Sequence, residues 1–218
     1  MTKATLITLS DPRSAAAEAF RTLRTNLMFS SIDRPISTLV VTSSAQSDNK
    51  SVALANLAVT FAQAGNSTIL VDCDLRKPTQ HDIWGVDNTR GFTTMLTDGA
   101  VLANPPLVGT GVDNLSLLPS GQLPPNPADV LSNRRVDEII GLLKARAHYI
   151  LFDCPPVLAA TDAALLGHKV DGVLLVVQAG NTRRDDALRA RQALERVHVR
   201  IIGAALTNAP RENAVSYR

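Results

Sequence analysis

The sequence predicts an α/β protein with a mostly parallel central sheet and helices on both faces. Three observations carry that reading. Short all-apolar runs at residues 69–71 and 150–152 end in carboxylates, Asp72 and Asp153, and runs of this kind between polar residues mark strands buried on both faces, as in parallel sheets. Segments of helical spacing separate the strand-like runs, the alternation that builds βαβ units with right-handed crossovers. Finally, Val41-Thr42-Ser43-Ser44-Ala45-Gln46-Ser47-Asp48-Asn49-Lys50-Ser51 has the strand–loop–Lys-Ser–helix layout of a phosphate-binding loop, but without its glycines.

Taken in order, Asp11-Pro12-Arg13-Ser14 opens a helix to about residue 30, with Leu23, Leu27 and Met28 among its apolar positions. Residues 37–42 are strand-like. Residues 50–64 form a helix of small apolar residues, stopped by Gly65. Residues 68–71 are the next strand. A loop-rich stretch, 77–114, holds short helical pieces such as 91–96, and 115–118 reads as a strand. Leu123-Pro124-Pro125-Asn126-Pro127 is extended until Pro127, which suits the first turn of a short helix. Helical spacing returns at 134–146, around 162–166 and at 183–196, and strands are expected at 172–178 and 199–206. Residues from about 209 to 218 read as an untethered tail.

The chain's 218 residues suit a single domain spanning 1–218. A formal net charge of +2 gives no argument for nucleic acid or a membrane surface. The N-terminus lacks the pattern of a secretory signal, and no apolar run approaches the roughly 20 residues that cross a bilayer. Cys73 and Cys154 read as small buried side chains in a reducing compartment. The expectation is a cytoplasmic protein.

The chemistry gathers at the strand ends. Asp72, Asp74 and Asp153 stand at the carboxyl rim, where open α/β sheets bind ligands. Lys50 is placed to meet the β/γ-phosphates and the Ser51 hydroxyl to ligate magnesium, at a helix N-terminus that favours anions. Asn49 precedes Lys50 where a phosphate loop ordinarily carries glycine. Asn is the non-glycine residue that best tolerates the left-handed conformation needed there. Its side chain is expected to obstruct the β-phosphate and weaken ATP binding. Glu18, Arg21 and Arg24, at i, i+3 and i+6, share a helix face, where their pairing alone is worth about a few tenths of a kcal/mol.

These residues resemble the bacterial tyrosine kinases of the CapB/CpsD type, P-loop proteins related to the MinD/ParA group that regulate capsule and exopolysaccharide export. Ile69-Leu70-Val71-Asp72-Cys73-Asp74-Leu75-Arg76 looks like their second Walker motif. Ile150-Leu151-Phe152-Asp153-Cys154-Pro155 looks like their Walker B. Glu18-Ala19-Phe20-Arg21-Thr22-Leu23-Arg24 matches the Glu-x-x-Arg-x-x-Arg pattern through which members assemble into rings. Gly121, the Leu123 to Pro127 turn and Asn208 also fall where the family has them.

The resemblance implies ATP/ADP with Mg2+, held by the loop Ser47, Asp48, Asn49, Lys50, Ser51 and Val52 and by Asn208 at the adenine. It implies Ser51, Asp74 and Asp153 at the ion, Asp72 as base with Lys50 on phosphate, and Glu18, Arg21 and Arg24 at a subunit contact. It also implies a homo-oligomeric ring and a transmembrane polysaccharide co-polymerase partner. The chain would then lie peripherally at the inner face of the plasma membrane, without direct insertion or nucleic acid.

The chain departs from the family pattern at Ser47 and Asn49, and Val52 replaces a frequent Thr. The tail offers only Tyr217 where relatives carry a tyrosine cluster. Two other readings are a nucleotide-poor pseudokinase scaffold and a MinD/ParA-type positioning ATPase. Against the latter, Ala45 stands at the position of that group's signature lysine, and the tail has no lipid-binding amphipathic helix.

Overall fold

The computed structural model describes residues 5–30 and 34–209. In chain order its elements are α1 (Ile7–Ser10), α2 (Ala15–Phe29), β1 (Thr38–Ser43), α3 (Lys50–Gln63), β2 (Thr68–Asp72), α4 (Gln80–Trp84), α5 (Phe92–Thr97), α6 (Gly99–Ala103), β3 (Val108–Gly109), β4 (Leu115–Leu118), α7 (Pro127–Ser132), α8 (Arg135–Lys144), β5 (Tyr149–Asp153), α9 (Asp162–Gly167), β6 (Gly172–Gln178), α10 (Arg184–Arg196) and β7 (Ile201–Thr207).

The strands form one sheet in the order β3-β4-β2-β5-β1-β6-β7. Every neighbouring pair is parallel except β3–β4. The all-apolar strands are central because each has two faces to bury. Val40, Ile69, Val71, Ile150 and Phe152 point into one core, shared with Phe92, Met95, Leu131, Ile139, Leu143 and Leu166 of the helices on that side. Leu39, Val41, Leu70, Leu151 and Leu174 point into the other, against Leu54, Leu57 and Phe61 of α3 and Ile83 and Trp84 of α4. The period of two thus divides each strand between two cores.

Register brings the chemistry together. Asp72 of β2 pairs with Asp153 of β5, and Val41 of β1 flanks Asp153 on its other side. Chain order reverses around β1, which has β5 on one side and β6 on the other, so the loop after β1 opens at a topological switch point. Helix α3 lies almost wholly buried. Its alanines at 53, 55, 58 and 62 let the helix approach the sheet closely.

Most sequence-expected elements are present within a residue or two. The N-terminal helix starts at Ala15 rather than Asp11. Ser14 is its N-cap, accepting from the Ala17 amide at 3.2 Å, and Asp11 instead caps the short helix α1 that the sequence reading did not foresee. Gly65, at φ +83°, ends α3 as expected. The loop-rich middle contains α4, α6 and the antiparallel β3 besides the expected piece at α5. The last strand begins at Ile201 rather than 199. Of the expected tail, 210–218 lies outside the described residues. Among the described residues, no helix is long and apolar enough to cross a membrane.

Asp171 fastens the start of β1 to β6. Its Oδ2 accepts from the amides of Ser37 and Thr38 at 2.8 Å each and from their hydroxyls at 3.0 and 2.8 Å. Partial burial raises this carboxyl's pKa, but those donors outweigh it and hold the group below its ordinary value. Asp171→Ala is expected to destabilise the fold by about 2 kcal/mol. Because the folded-state pKa is depressed, the stabilisation is full above the unfolded value near 3.8 and is lost as pH falls through the folded one. Urea unfolding of both proteins at neutral and acid pH checks this: their stabilities should converge on acidification.

Candidate functional site

The loop between β1 and α3 folds without glycine by two devices. Residues Gln46–Asp48, which include Ser47, form a single 3-10 turn. Asn49 then takes φ 52° and ψ 30°, the left-handed conformation expected of it, and reverses the chain into α3. The Asp48 carboxylate is fully buried and turned into the loop. Its Oδ2 accepts from the Ser44 hydroxyl and the Ala45 amide, both at 3.0 Å, and its Oδ1 from the Thr182 hydroxyl at 2.6 Å. Asp48 therefore braces the loop through its side chain rather than facing a ligand.

Lys50 opens α3. Its ammonium donates to Asp153 Oδ1 at 2.8 Å, Asp74 Oδ2 at 2.9 Å and Ser51 Oγ at 3.2 Å. Burial by itself lowers the lysine's pKa, but the Asp153 and Asp74 charges outweigh it and hold the ammonium above its ordinary value. The three oxygen ligands expected at magnesium thus converge on one point, around a cation. Oxygen-only ligation with an excess of carboxylates is the donor set of a hard divalent ion, so these residues fit magnesium once the ammonium turns away. Asp74 is fixed from its other oxygen by the Lys77 amide at 3.0 Å.

Asp72 is wholly buried. Its Oδ1 accepts from the Asp74 amide at 3.2 Å, and its Oδ2 from the amides of Thr79 at 3.1 Å and Gln80 at 2.9 Å. Burial first, and then the charge on Asp153, push this carboxyl up to about 8, against the pull of the Gln80 amide and Lys50.

A cleft of about 230 Å³ opens over this cluster, lined among others by Asn49, Lys50, Ser51, Val52, Asp74 and Arg76. Arg76 is anchored there by a two-point ion pair with the buried Asp162, Nε to Oδ2 and Nη2 to Oδ1 at 2.9 Å each. That pair leaves the rest of the guanidinium at the cleft. Asp162 and Thr182 carried no sequence signal of a role, and Gln80 carried none either, although it donates to both Asp153 and Ser51.

Asn208 sits at the end of β7 with φ 53°, donates to the Ala179 carbonyl at 3.2 Å and does not line the cleft. On α2, Glu18 is exposed and pairs with Arg21 at 2.8 Å, whereas Arg24 is half-buried and donates to the Thr60 carbonyl of α3 at 2.9 Å. Arg24 is therefore partly committed within the monomer. Tyr217 lies outside the described residues. Cys73 and Cys154 are buried free thiols whose pKa burial pushes up, which leaves them inert.

No protein-family model matches the chain. The tyrosine-protein kinase YwqD of Bacillus subtilis is 37% identical over 201 residues, 92% of this chain and 84% of that protein. The chain belongs to the bacterial tyrosine-protein kinase family. A second member, the tyrosine-protein kinase CpsD of Streptococcus agalactiae, is 33% identical over 92% of this chain and 85% of its own length. Among solved structures, the kinase domain of the Escherichia coli tyrosine kinase ETK superposes with a TM-score of 0.90 at 28% identity, over 100% of this chain and 85% of that one. The septum site-determining protein MinD of Pyrococcus horikoshii, solved with Mg-ADP, matches at a TM-score of 0.63 and 23% identity over 78% of this chain and 69% of its own. That likeness concerns the fold alone.

Lys50 is the counter-ion of two buried carboxylates. Lys50→Met leaves them uncompensated and is expected to cost about 3 kcal/mol of stability at neutral pH. Urea denaturation at neutral pH measures the deficit; an unchanged stability would place the role of this lysine elsewhere.

Proposed function

We propose that this chain is an ATP-dependent protein-tyrosine kinase acting in capsule or exopolysaccharide synthesis and export, with Mg2+ as the ion. The observation that carries the reading is the convergence of Ser51, Asp74 and Asp153 on Lys50 Nζ at the N-terminus of α3, in a chain of this kinase family. The reading is supported by the Mg-ADP of the MinD neighbour and by the names of the relatives.

In it, Lys50 turns from the two aspartates to the phosphates, and the α3 N-terminus offers its amides to the same anion. Ser51, Asp74 and Asp153 hold the magnesium ion, directly or through water. When bound, magnesium would neutralise negative charge on the phosphates. Asp72 takes the tyrosine proton, and its raised pKa suits a base working near neutrality. In the geometry described, Oδ2 of Asp72 is held by the Thr79 and Gln80 amides, so this role requires that segment to release it. Ser47, Asp48 and Val52 shape the loop, and Asn208 meets the adenine. Glu18, Arg21 and Arg24 contact a neighbouring subunit in a ring, with Tyr217 as an acceptor. A transmembrane co-polymerase of the polysaccharide machinery holds the chain at the inner face of the plasma membrane.

Incubation with Mg-ATP and a tyrosine-containing polypeptide, with the partner's cytoplasmic segment present, should yield phosphotyrosine. Lys50→Met and Asp74→Asn should each lower the rate by about two orders of magnitude or more. Absence of both nucleotide binding and phosphotyrosine would favour the nucleotide-poor scaffold reading. Calorimetry should show Asn49→Gly binding ATP several-fold more tightly than the natural chain, since the exposed amide beside the phosphate path is gone. Equal affinities would discard the obstruction.

Charge reversal at Arg21, Arg21→Glu, should break its pair with Glu18 and shift the assembly towards monomer in light scattering. A natural chain that stays monomeric even with the partner segment would remove the ring.

A further inference from the structure

Gln80 joins three motifs that the sequence keeps far apart. It opens α4, is fully buried, and its side-chain nitrogen donates to Asp153 Oδ2 at 2.7 Å and to the Ser51 carbonyl at 3.0 Å. Its own amide donates to Asp72 Oδ2 at 2.9 Å. Two acceptors on one end of the carboxamide fix which end is nitrogen. The remaining atom, Oε1, is a buried acceptor with no hydrogen-bond donor among the described residues. A buried amide oxygen left without a donor is costly, and this one belongs to a side chain bonded directly to a predicted magnesium ligand.

The two oxygens of Asp153 are divided between Lys50 and Gln80. When Lys50 turns to a phosphate, Asp153 loses its buried counter-ion and keeps Gln80. A hydrocarbon side chain at position 80 could not hold the carboxylate, and a glutamate would set a second negative charge against it.

We propose that Gln80 is a positioning residue of the magnesium site. Its Nε2 holds Asp153 so that Oδ1 faces the hydrated cation, and its Oε1 accepts a hydrogen bond from water in that cation's shell. The inference rests on the nucleotide–magnesium reading given above. It predicts that Gln80 acts on the metal-dependent part of nucleotide binding and not on the fold as such.

The test is calorimetric titration of the full chain with ADP, in excess MgCl2 and again in EDTA. It compares the natural protein with Gln80→Met, which has neither donor nor acceptor, and Gln80→Glu, which keeps an oxygen and loses the donor. Thermal melting in EDTA shows which variants fold, and either folded variant suffices.

The natural chain should bind ADP more tightly with magnesium than in EDTA. Each variant should lose roughly tenfold of that gain, a difference of about 1.4 kcal/mol, with its EDTA affinity unchanged. In an Asp153→Asn background, Gln80→Met should remove little more, because the two act through one carboxylate. An unchanged magnesium gain, an equal loss in both buffers, or full additivity with Asp153→Asn overturns the proposal while leaving the nucleotide reading intact. Failure of both variants to fold would assign Gln80 to the fold and overturn it equally. Absence of any magnesium gain in the natural chain overturns the nucleotide–magnesium reading, and this inference with it.

Discussion

The Lys50 ammonium between the carboxylates of Asp74 and Asp153 is the contact on which the rest of this structure turns. It ties the first residue of α3 to the end of β5 and to the residues just past β2. Two buried anions near each other are unstable without a cation, and the protein supplies one from its own chain. In the function proposed, the same two carboxylates hold a divalent ion, so one point in the molecule is shared between a resident cation and an incoming one. On that reading, the lysine's release from that point and its attraction to phosphate are two halves of one event.

The loop around that contact shows how a turn with the phosphate-loop layout is kept without its glycines. Glycine serves there because it takes positive φ and leaves room. Asn49 meets the first need, at φ 52°. The conformational freedom lost at the other positions is met by bonding, with Asp48 buried as an acceptor for Ser44, Ala45 and, from the loop after β6, Thr182. The loop is shaped by a carboxylate brace rather than by an absence of side chains. That brace makes the geometry of this loop depend on the β6–α10 connection.

Much of this was legible in the sequence because it rests on local rules. The apolar runs ending at Asp72 and Asp153 specified buried parallel strands, since a strand with two apolar faces has no other stable place. The left-handed turn at Asn49 followed from steric preference at one residue, and the end of α3 at Gly65 from another. The helix start at Ala15 was misplaced because Asp11 and Ser14 both offer capping chemistry. Packing of α1 against α3, where Thr8 donates to Asn56 Oδ1 from amide and hydroxyl, decided between them. The antiparallel β3 was illegible, since two residues carry no period.

The sequence by itself determined the fold class, the family, and the identity of the charged residues at the sheet's carboxyl rim, because strand burial, turn sterics and motif spacing are written residue by residue. Only the tertiary structure decided how those residues divide the work. Strand register set Asp72 abreast of Asp153 and brought Lys50 to Asp74 and Asp153 together. Chain return from β2 through α4 placed Gln80 between Asp153 and Ser51, and α9 brought Asp162 to Arg76. Asp48 points inward and Arg24 turns to α3, whereas the sequence places Asp48 at the nucleotide and Arg24 at a subunit contact. A side chain's direction depends on which neighbour offers a hydrogen bond once the chain has folded back on itself, and that information is spread over residues up to 134 positions apart.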